Sequence, residues 1–136
     1  MKIKHALLID DSDVDNYISK HIIIKSKFAK KITIKTSAAD ALKYLTDLQT
    51  NPKEFPNVIF LDIRMPEMNG FEFLDEFKKF PQAINNQCTV LMLTSSNDQR
   101  DIEHASQYSV VKEYLNKPLD KSMLENLNFP ITNSFM

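Results

Sequence analysis

The chain has 136 residues, 43% of them hydrophobic and 26% charged, with a net charge of −1. That describes one soluble globular domain with a single proper core, and it excludes the basic field or arm that would recruit nucleic acid. The longest apolar runs, "VIFL" and "TVLML", are too short to cross a bilayer, and the one cysteine, Cys88, cannot form a disulfide within the chain, which fits a reducing cytoplasm.

Five short apolar runs alternate with helical patterns. The first, "HALLI" (5–9), reads as a strand. Behind it Val14, Tyr17, Ile18, His21 and Ile22 recur at intervals of three and four, the pattern of one apolar helix face, with Asp13 as N-cap. Lys25, Lys27, Lys30 and Lys31 then read as a solvated helix end and turn. The second strand is "ITIK" (32–35), followed by a helix through Ala38, Ala41, Leu42, Leu45 and Leu48 behind a Thr36/Ser37 cap. The third and fourth strands, "NVIFL" (57–61) and "TVLML" (89–93), are apolar throughout, as strands buried on both faces are. Between them Phe71, Leu74, Phe77 and Phe80 line a third helix with Asn69 available as cap. A short fourth helix carries Ile102, Ala105 and Tyr108, and "KEYL" (112–115) is the fifth strand. Met123, Leu124 and Leu127 suggest a fifth helix that Pro130 ends.

Strands alternating with helices imply right-handed crossovers and a parallel sheet covered on both sides. The expected architecture is therefore α/β, a doubly wound five-stranded domain over residues 1–128 with 129–136 as a C-terminal tail. The N-terminus turns acidic too soon for a signal peptide.

The run "LLIDDSDVDNYISK" crowds four aspartates behind the first strand. A calcium loop starting at Asp11 would need glycine at position six and a bidentate ligand at position twelve; the chain has Asn16 and Ile22 there. A phosphatase nucleophile of the kind found in the haloacid dehalogenase family resembles D-x-D-x-[TV], but Asp15 stands where Thr or Val is required. Gly70 is the only glycine, so no glycine-rich phosphate cradle can be written. His5, His21 and His104 lack metal-ligand spacing.

The third explanation comes from the other strand ends. Ligands of such folds sit beyond the carboxyl ends of the strands. Asp10 and Asp11 follow the first strand, Asp62 the third, Thr94 and Ser95 end the fourth, and Lys117-Pro118 ends the fifth. Three carboxylates at about 4–5 Å repel by roughly 3–4 kcal/mol per ionised pair at an effective dielectric of 20. Lys117 supplies one counter-charge, and a hard divalent cation such as Mg2+ (or Mn2+) is the natural other.

"LLIDD", "VIFLDIRMPEMNG", "LMLTSS" and "YLNKP" occur in that order at strand ends, and from about Lys4 to Leu127 the chain resembles the CheY-like receiver domain of two-component response regulators, in a stand-alone form. The resemblance implies a flavodoxin-like sheet in the order 2-1-3-4-5. It implies Asp62 as phosphoacceptor, with a sensor histidine kinase or histidine phosphotransfer protein as donor, and an unnamed protein target downstream. It further implies that Asp11, Asp62 and the backbone carbonyl of Arg64 hold the metal directly and that Asp10 acts through a water. Thr94 and Lys117 would hold the phosphoryl oxygens, Thr94 and Tyr114 would form the switch, and Lys117-Pro118 would be cis. Such a protein is not a conventional enzyme: it promotes its own phosphorylation and slowly dephosphorylates itself. Arg64 and Ser96 stand at rim positions that in the family influence hydrolysis. A receiver-shaped interaction module without phosphotransfer is the alternative. The chain departs from many members in having Ser109-Val110-Val111, without glycine, before the fifth strand.

Overall fold

A computed structural model describes residues 3–127. Five parallel strands, β1 (Ile3–Ile9), β2 (Ala29–Lys35), β3 (Val58–Leu61), β4 (Thr89–Thr94) and β5 (Val111–Asn116), form one sheet in the order β2-β1-β3-β4-β5. Six helices cover it: α1 (Asp13–Lys25), α2 (Ala38–Leu48), α3 (Gly70–Phe77), α4 (Gln82–Asn86), α5 (Gln99–Ser106) and α6 (Lys121–Glu125). The expected doubly wound architecture and strand order are present.

The side-chain alternation of the strands divides the core in two. Leu7, Ile9, Ile59, Leu61, Val90 and Met92 face α2, α3 and α5, where Leu45, Phe73, Phe77 and Ala105 meet them. Ala6, Leu8, Val58, Phe60, Leu91 and Leu93 face the opposite layer, with Ile23 of α1, Phe28 and Leu124 of α6. Burial on both sides explains why β3 and β4 read as unbroken apolar runs. His5 is buried too, and its neutral ring is satisfied: Nδ1 donates to the carbonyl of Glu54, and Nε2 accepts from the Thr33 hydroxyl, each at 2.8 Å. Glu54 belongs to a single 3-10 turn, Pro52–Glu54.

Several helix details differ from the sequence expectation. Ser12, not Asp13, caps α1: its side chain accepts from the Asp15 N–H, and Asp13 is the first helical residue. The expected apolar face of α1 is also turned outward. Val14 and Tyr17 are 68% and 73% exposed, and Ile18 is exposed as well, while Asn16, Ser19 and Ile23 are buried. Two stripes of this helix share the same spacing, and the stripe with small polar residues permits the closer approach to the strand ends. There Asn16 Nδ2 donates to the Asp10 carbonyl at 2.8 Å.

Farther along, α3 stops at Phe77, and Phe80 lies beyond it, although its ring still packs 5.2 Å from that of Phe77. Phe80 precedes Pro81, and a residue before proline is disfavoured in the α region. The chain restarts as the short α4, which the sequence reading lacked. Asn69 caps α3 as expected, in a reciprocal capping box with Glu72. Tyr108 and Leu127 fall just past α5 and α6, and Pro130 and the 129–136 segment lie outside the described residues. The lysine cluster is only half helix end and turn. Lys27 takes a left-handed φ of 53°, but Lys30 and Lys31 lie exposed on the edge strand β2, where charge discourages pairing with another chain. At the start of β5 the register shifts by one residue, Val90 lying opposite Val111 and Leu91 opposite Glu113.

Gly70 opens α3, and its N–H donates to the Ile63 carbonyl at 2.9 Å. A Cβ at this position would press into the backbone carbonyl of Asp62 and sit 3.0 Å from Ile63 Cα. Helix and loop approach this closely only because the residue is glycine. Gly70→Ala is therefore expected to cost about 1–3 kcal/mol, as overpacking does, and to displace the loop that carries Asp62. Chemical denaturation measures the first effect, and amide shifts at Asp62 and Ile63 the second.

Candidate functional site

Backbone bonds continue past the strand ends and fix the residues that follow them. Asp10 N–H donates to Lys35 O at 3.2 Å, Asp62 N–H to Ile9 O at 3.1 Å, and Lys117 N–H to Thr94 O at 2.9 Å. Ile9 pairs with Leu61 and Thr94 with Asn116, so Asp10, Asp62, Thr94 and Lys117 gather at one edge of the sheet. The Lys117-Pro118 bond is cis, as expected.

Asp10, Asp11 and Asp62 each offer an oxygen within 4.8 Å of the other two. Asp10 and Asp62 are buried, and Asp11 is exposed. Local donors orient the two buried groups. Ser12 N–H donates to one Asp10 oxygen at 2.9 Å, and Ile63 N–H to one Asp62 oxygen at 2.8 Å. The trio is made of hard oxygen donors, the set that suits magnesium or manganese rather than a soft metal. The Arg64 carbonyl belongs to the same loop as Asp62, two residues on.

Lys117 is the counter-charge. Its Nζ lies 2.6 Å from Asp10, 2.8 Å from Asp15 and 3.4 Å from Asp62. Burial by itself would depress the ammonium's pKa, but its bonds to Asp10 and Asp15 and the charge of Asp62 outweigh that and push it upward. Asp10 is also shifted upward, chiefly by burial, against the pull of Lys117 and the Ser12 N–H. The ammonium thus stays charged, and it leans toward Asp10 and Asp15 more than toward Asp62.

Thr94 is fully buried, and its Oγ1 accepts from the Ser96 N–H at 3.3 Å. Tyr114 is half-buried against the core, and its hydroxyl donates to the Ser96 carbonyl at 3.0 Å. Burial pushes the phenol pKa upward. Ser96 thus sits between the two expected switch residues. Its own hydroxyl donates to Asp101 Oδ2 at 2.7 Å, and Arg64 Nη2 pairs with that same oxygen at 2.7 Å. The two rim positions named from the sequence, Arg64 and Ser96, are therefore clasped by one carboxylate from the first turn of α5.

Three contributors went unassigned in the sequence reading: Asn16, Asp15 and Asp101. Asn16 and Asp15 were visible only as residues that spoil two other motifs. A helix beginning at Asp13 places both in its first turn, at the mouth of the acidic edge, and that was the available signal. Asp101 had no signal, because its ion-pair partner Arg64 lies 37 residues away on the loop after β3.

Residues 6–127 match the family model described as the response regulator receiver domain, and the chain belongs to that family. A two-component response regulator from Cytophaga hutchinsonii is 36% identical in its crystal structure, with 98% of this chain and 99% of that chain covered and a TM-score of 0.89. Response regulator Rcp1 of Synechocystis sp. is 29% identical over 102 residues, 73% of this chain and 67% of that protein. The Mn2+-bound form of Rcp1 superposes with a TM-score of 0.70 at 26% identity, over 89% of this chain and 86% of that one. An uncharacterized response regulatory protein of Staphylococcus epidermidis is 35% identical over 72 residues, 53% of this chain but only 26% of that protein. The protein is thus a receiver of the two-component signalling class, with an acidic group that could hold a metal ion. No helix among the described residues is long and apolar enough to cross a membrane.

Magnesium is expected to raise the melting temperature, because a ligand bound only by the folded state stabilises it, by about 2.7 kcal/mol at 100 times its Kd. Asp11→Asn removes the exposed member of the trio and is expected to abolish most of that rise. Calorimetric titration checks the affinity, and thermal melts with and without magnesium check the linkage.

Proposed function

We propose that the protein is a phosphoacceptor receiver that takes a phosphoryl group on Asp62 from a phosphohistidine donor, a sensor histidine kinase or a histidine phosphotransfer protein, in the cytoplasm. The observation that carries this reading is the setting of Asp62. It is a buried carboxylate at the end of β3, with the Lys117 ammonium at 3.4 Å and the oxygens of Asp10 and Asp11 within 4.8 Å.

In the transfer an Asp62 oxygen forms its bond to phosphorus as the bond from phosphorus to the donor imidazole nitrogen breaks. The nitrogen keeps the electron pair and later takes a proton, so no general base is needed from this chain. A carboxylate is a competent nucleophile here, and the remaining work is positioning and charge neutralisation. Lys117 supplies a permanent positive charge toward the phosphoryl oxygens, and the Thr94 hydroxyl a hydrogen bond. Asp11, Asp62 and the Arg64 carbonyl would hold a divalent cation, with Asp10 acting through a water, and such a cation would supply charge neutralisation for the same oxygens. Slow loss of the phosphoryl group to water returns the resting state.

The output follows from local contacts. Movement of Thr94 Oγ1 toward a phosphoryl oxygen draws it away from the Ser96 N–H that it accepts at 3.3 Å. The Ser96 carbonyl also holds Tyr114, so the disturbance reaches β5 in one step. A downstream protein reads the face of α5, β5 and α6. A module that only binds partners has no use for a buried acceptor and ammonium in contact, so the phosphoacceptor reading is preferred. The receiver spans residues 1–128, followed by the 129–136 tail.

Incubation with magnesium and a small phosphodonor is expected to add one phosphoryl group, read by intact mass. Asp62→Asn is expected to take none, and without metal to be more stable than wild type by about 1 kcal/mol or more, since one repelling carboxylate is gone. Equal incorporation in the variant would place the acceptor elsewhere.

Thr94→Ala is expected to accept phosphate more slowly and to transmit it poorly. With a beryllofluoride mimic of the aspartyl phosphate, amide and ring shifts around Tyr114 are expected to shrink relative to wild type. Shifts of undiminished size would show that the coupling bypasses this pair.

A further inference from the structure

Lys117 has three N–H donors, and Asp10, Asp15 and Asp62 surround it. A phosphoryl oxygen on Asp62 takes over the donor that faces Asp62, but that contact is 3.4 Å long, so Lys117 must move toward it and its hold on Asp10 or Asp15 must slacken. The candidates differ in how much the loss costs them. The Asp10 side chain is 9% exposed, and stripping a buried carboxylate of its counter-charge is expensive. The Asp15 side chain is 36% exposed, and water replaces the ammonium there readily. Asp15 is also separate from the Asp10, Asp11 and Asp62 trio whose oxygens converge. It hangs from the first turn of α1, its backbone N–H held at 3.1 Å by the Ser12 hydroxyl, and reaches the ammonium from the helix side.

We infer that Asp15 is a positioning residue: in the resting protein its 2.8 Å contact holds Lys117 back from Asp62, which is 3.4 Å away, and so from a phosphoryl oxygen there. This rests on the phosphoacceptor reading of Asp62 and deepens it. Asp15 has two opposed effects on the edge. Its negative charge favours entry of a divalent cation, and the same charge, with its hold on Lys117, opposes the phosphoryl group. The site is thereby biased toward a metal-loaded, unphosphorylated resting state. Because the competition acts through one hydrogen-bonded contact, it belongs to Asp15 and not to acidic residues of the same turn in general. Asp13 provides the comparison: it lies two residues earlier, exposed, and Lys117 makes its ion pairs with Asp10, Asp15 and Asp62 instead.

The experiment titrates magnesium, and then beryllofluoride at saturating magnesium, into the wild-type chain, Asp15→Asn and Asp13→Asn, following amide shifts by NMR. For Asp15→Asn, magnesium affinity is expected to fall and beryllofluoride affinity to rise, each by about three-fold or more, the scale of one partly exposed charge contact. Asp13→Asn is expected to leave beryllofluoride affinity within about two-fold of wild type, being an exposed charge outside the contact. Opposite movement of the two affinities is a signature that loosening of the fold would not produce, since loosening weakens both. Asp15→Ser removes the same charge and serves if the amide is not accommodated. The inference is overturned if Asp15→Asn fails to tighten beryllofluoride, or if Asp13→Asn tightens it equally. If wild type binds magnesium and beryllofluoride but Asp15→Asn changes neither, only the role of Asp15 falls. If wild type binds neither, the phosphoacceptor reading falls with it.

Discussion

Like charges crowd the carboxyl edge of this sheet, and one ammonium holds them there. Each pair of ionised carboxylates at such spacing repels by several kcal/mol at the dielectric of a protein surface, a large fraction of the net stability of a domain this size. Lys117 is the internal answer, and it comes from the far end of the chain: its partner Asp15 is 102 residues away. The β1-β3-β4-β5 order is what allows the contact. It places the ends of the first, third, fourth and fifth strands side by side, and the bonds Asp62 N–H to Ile9 O and Lys117 N–H to Thr94 O hold the charged residues at that edge. The apolar cores on the two faces of the sheet fix the strands and so fix the charges. The electrostatic site is a consequence of hydrophobic packing some distance from it.

Parts of this were legible in the sequence because they depend on few residues at a time. Val58 to Leu61 and Val90 to Leu93 are buried on both faces, so the strands appear as continuous apolar runs and the polar residues after them stand out. Capping is equally local: Asn69 and Glu72 satisfy each other's backbone groups three residues apart. What failed was any inference that needed to know which neighbour a helix faces. Along α1 two stripes repeat at the helical period, and the sequence favours the more apolar one. The structure buries Asn16, Ser19 and Ile23 instead, because Asn16 is wanted at the Asp10 carbonyl. The same blindness hid Asp15 and Asp101, whose roles exist only once loops distant in sequence have met. The break between α3 and α4 was readable in principle from Phe80-Pro81, but the aromatic spacing through Phe80 masked it.

Both cations near Asp62 make their shortest contacts with other carboxylates. Lys117 leans on Asp10 and Asp15, and Arg64 is held by Asp101 across the rim. These two arrangements differ in strength. Arg64 is largely exposed, so its pair is screened by solvent and contributes little to stability. Lys117 is largely covered, and its contact with the buried Asp10 is correspondingly hard to rearrange. Under the proposed reading a phosphoryl group would add charge near both cations, and the more weakly held one would respond at lower cost. Asp101 then becomes a point of communication, because it also accepts from the Ser96 hydroxyl and lies in the first turn of α5.

A receiver of this kind signals only as far as its two states are stabilised differently. Under the proposed phosphoacceptor reading, each bond the resting state makes with a group that a phosphorylated state would draw on favours the resting state. Thr94 has its Ser96 N–H, Tyr114 its Ser96 carbonyl, Lys117 its two aspartates and Arg64 its Asp101. Loosening them one by one would bring the modified arrangement closer in energy and raise its population before any phosphate arrived. The resting contacts are therefore not incidental to an idle site. Under that reading they would set how sharply the surface formed by α5, β5 and α6 separates the modified from the unmodified protein. Ser96 carries the most weight in that separation, because its backbone N–H, carbonyl and hydroxyl each hold a different partner.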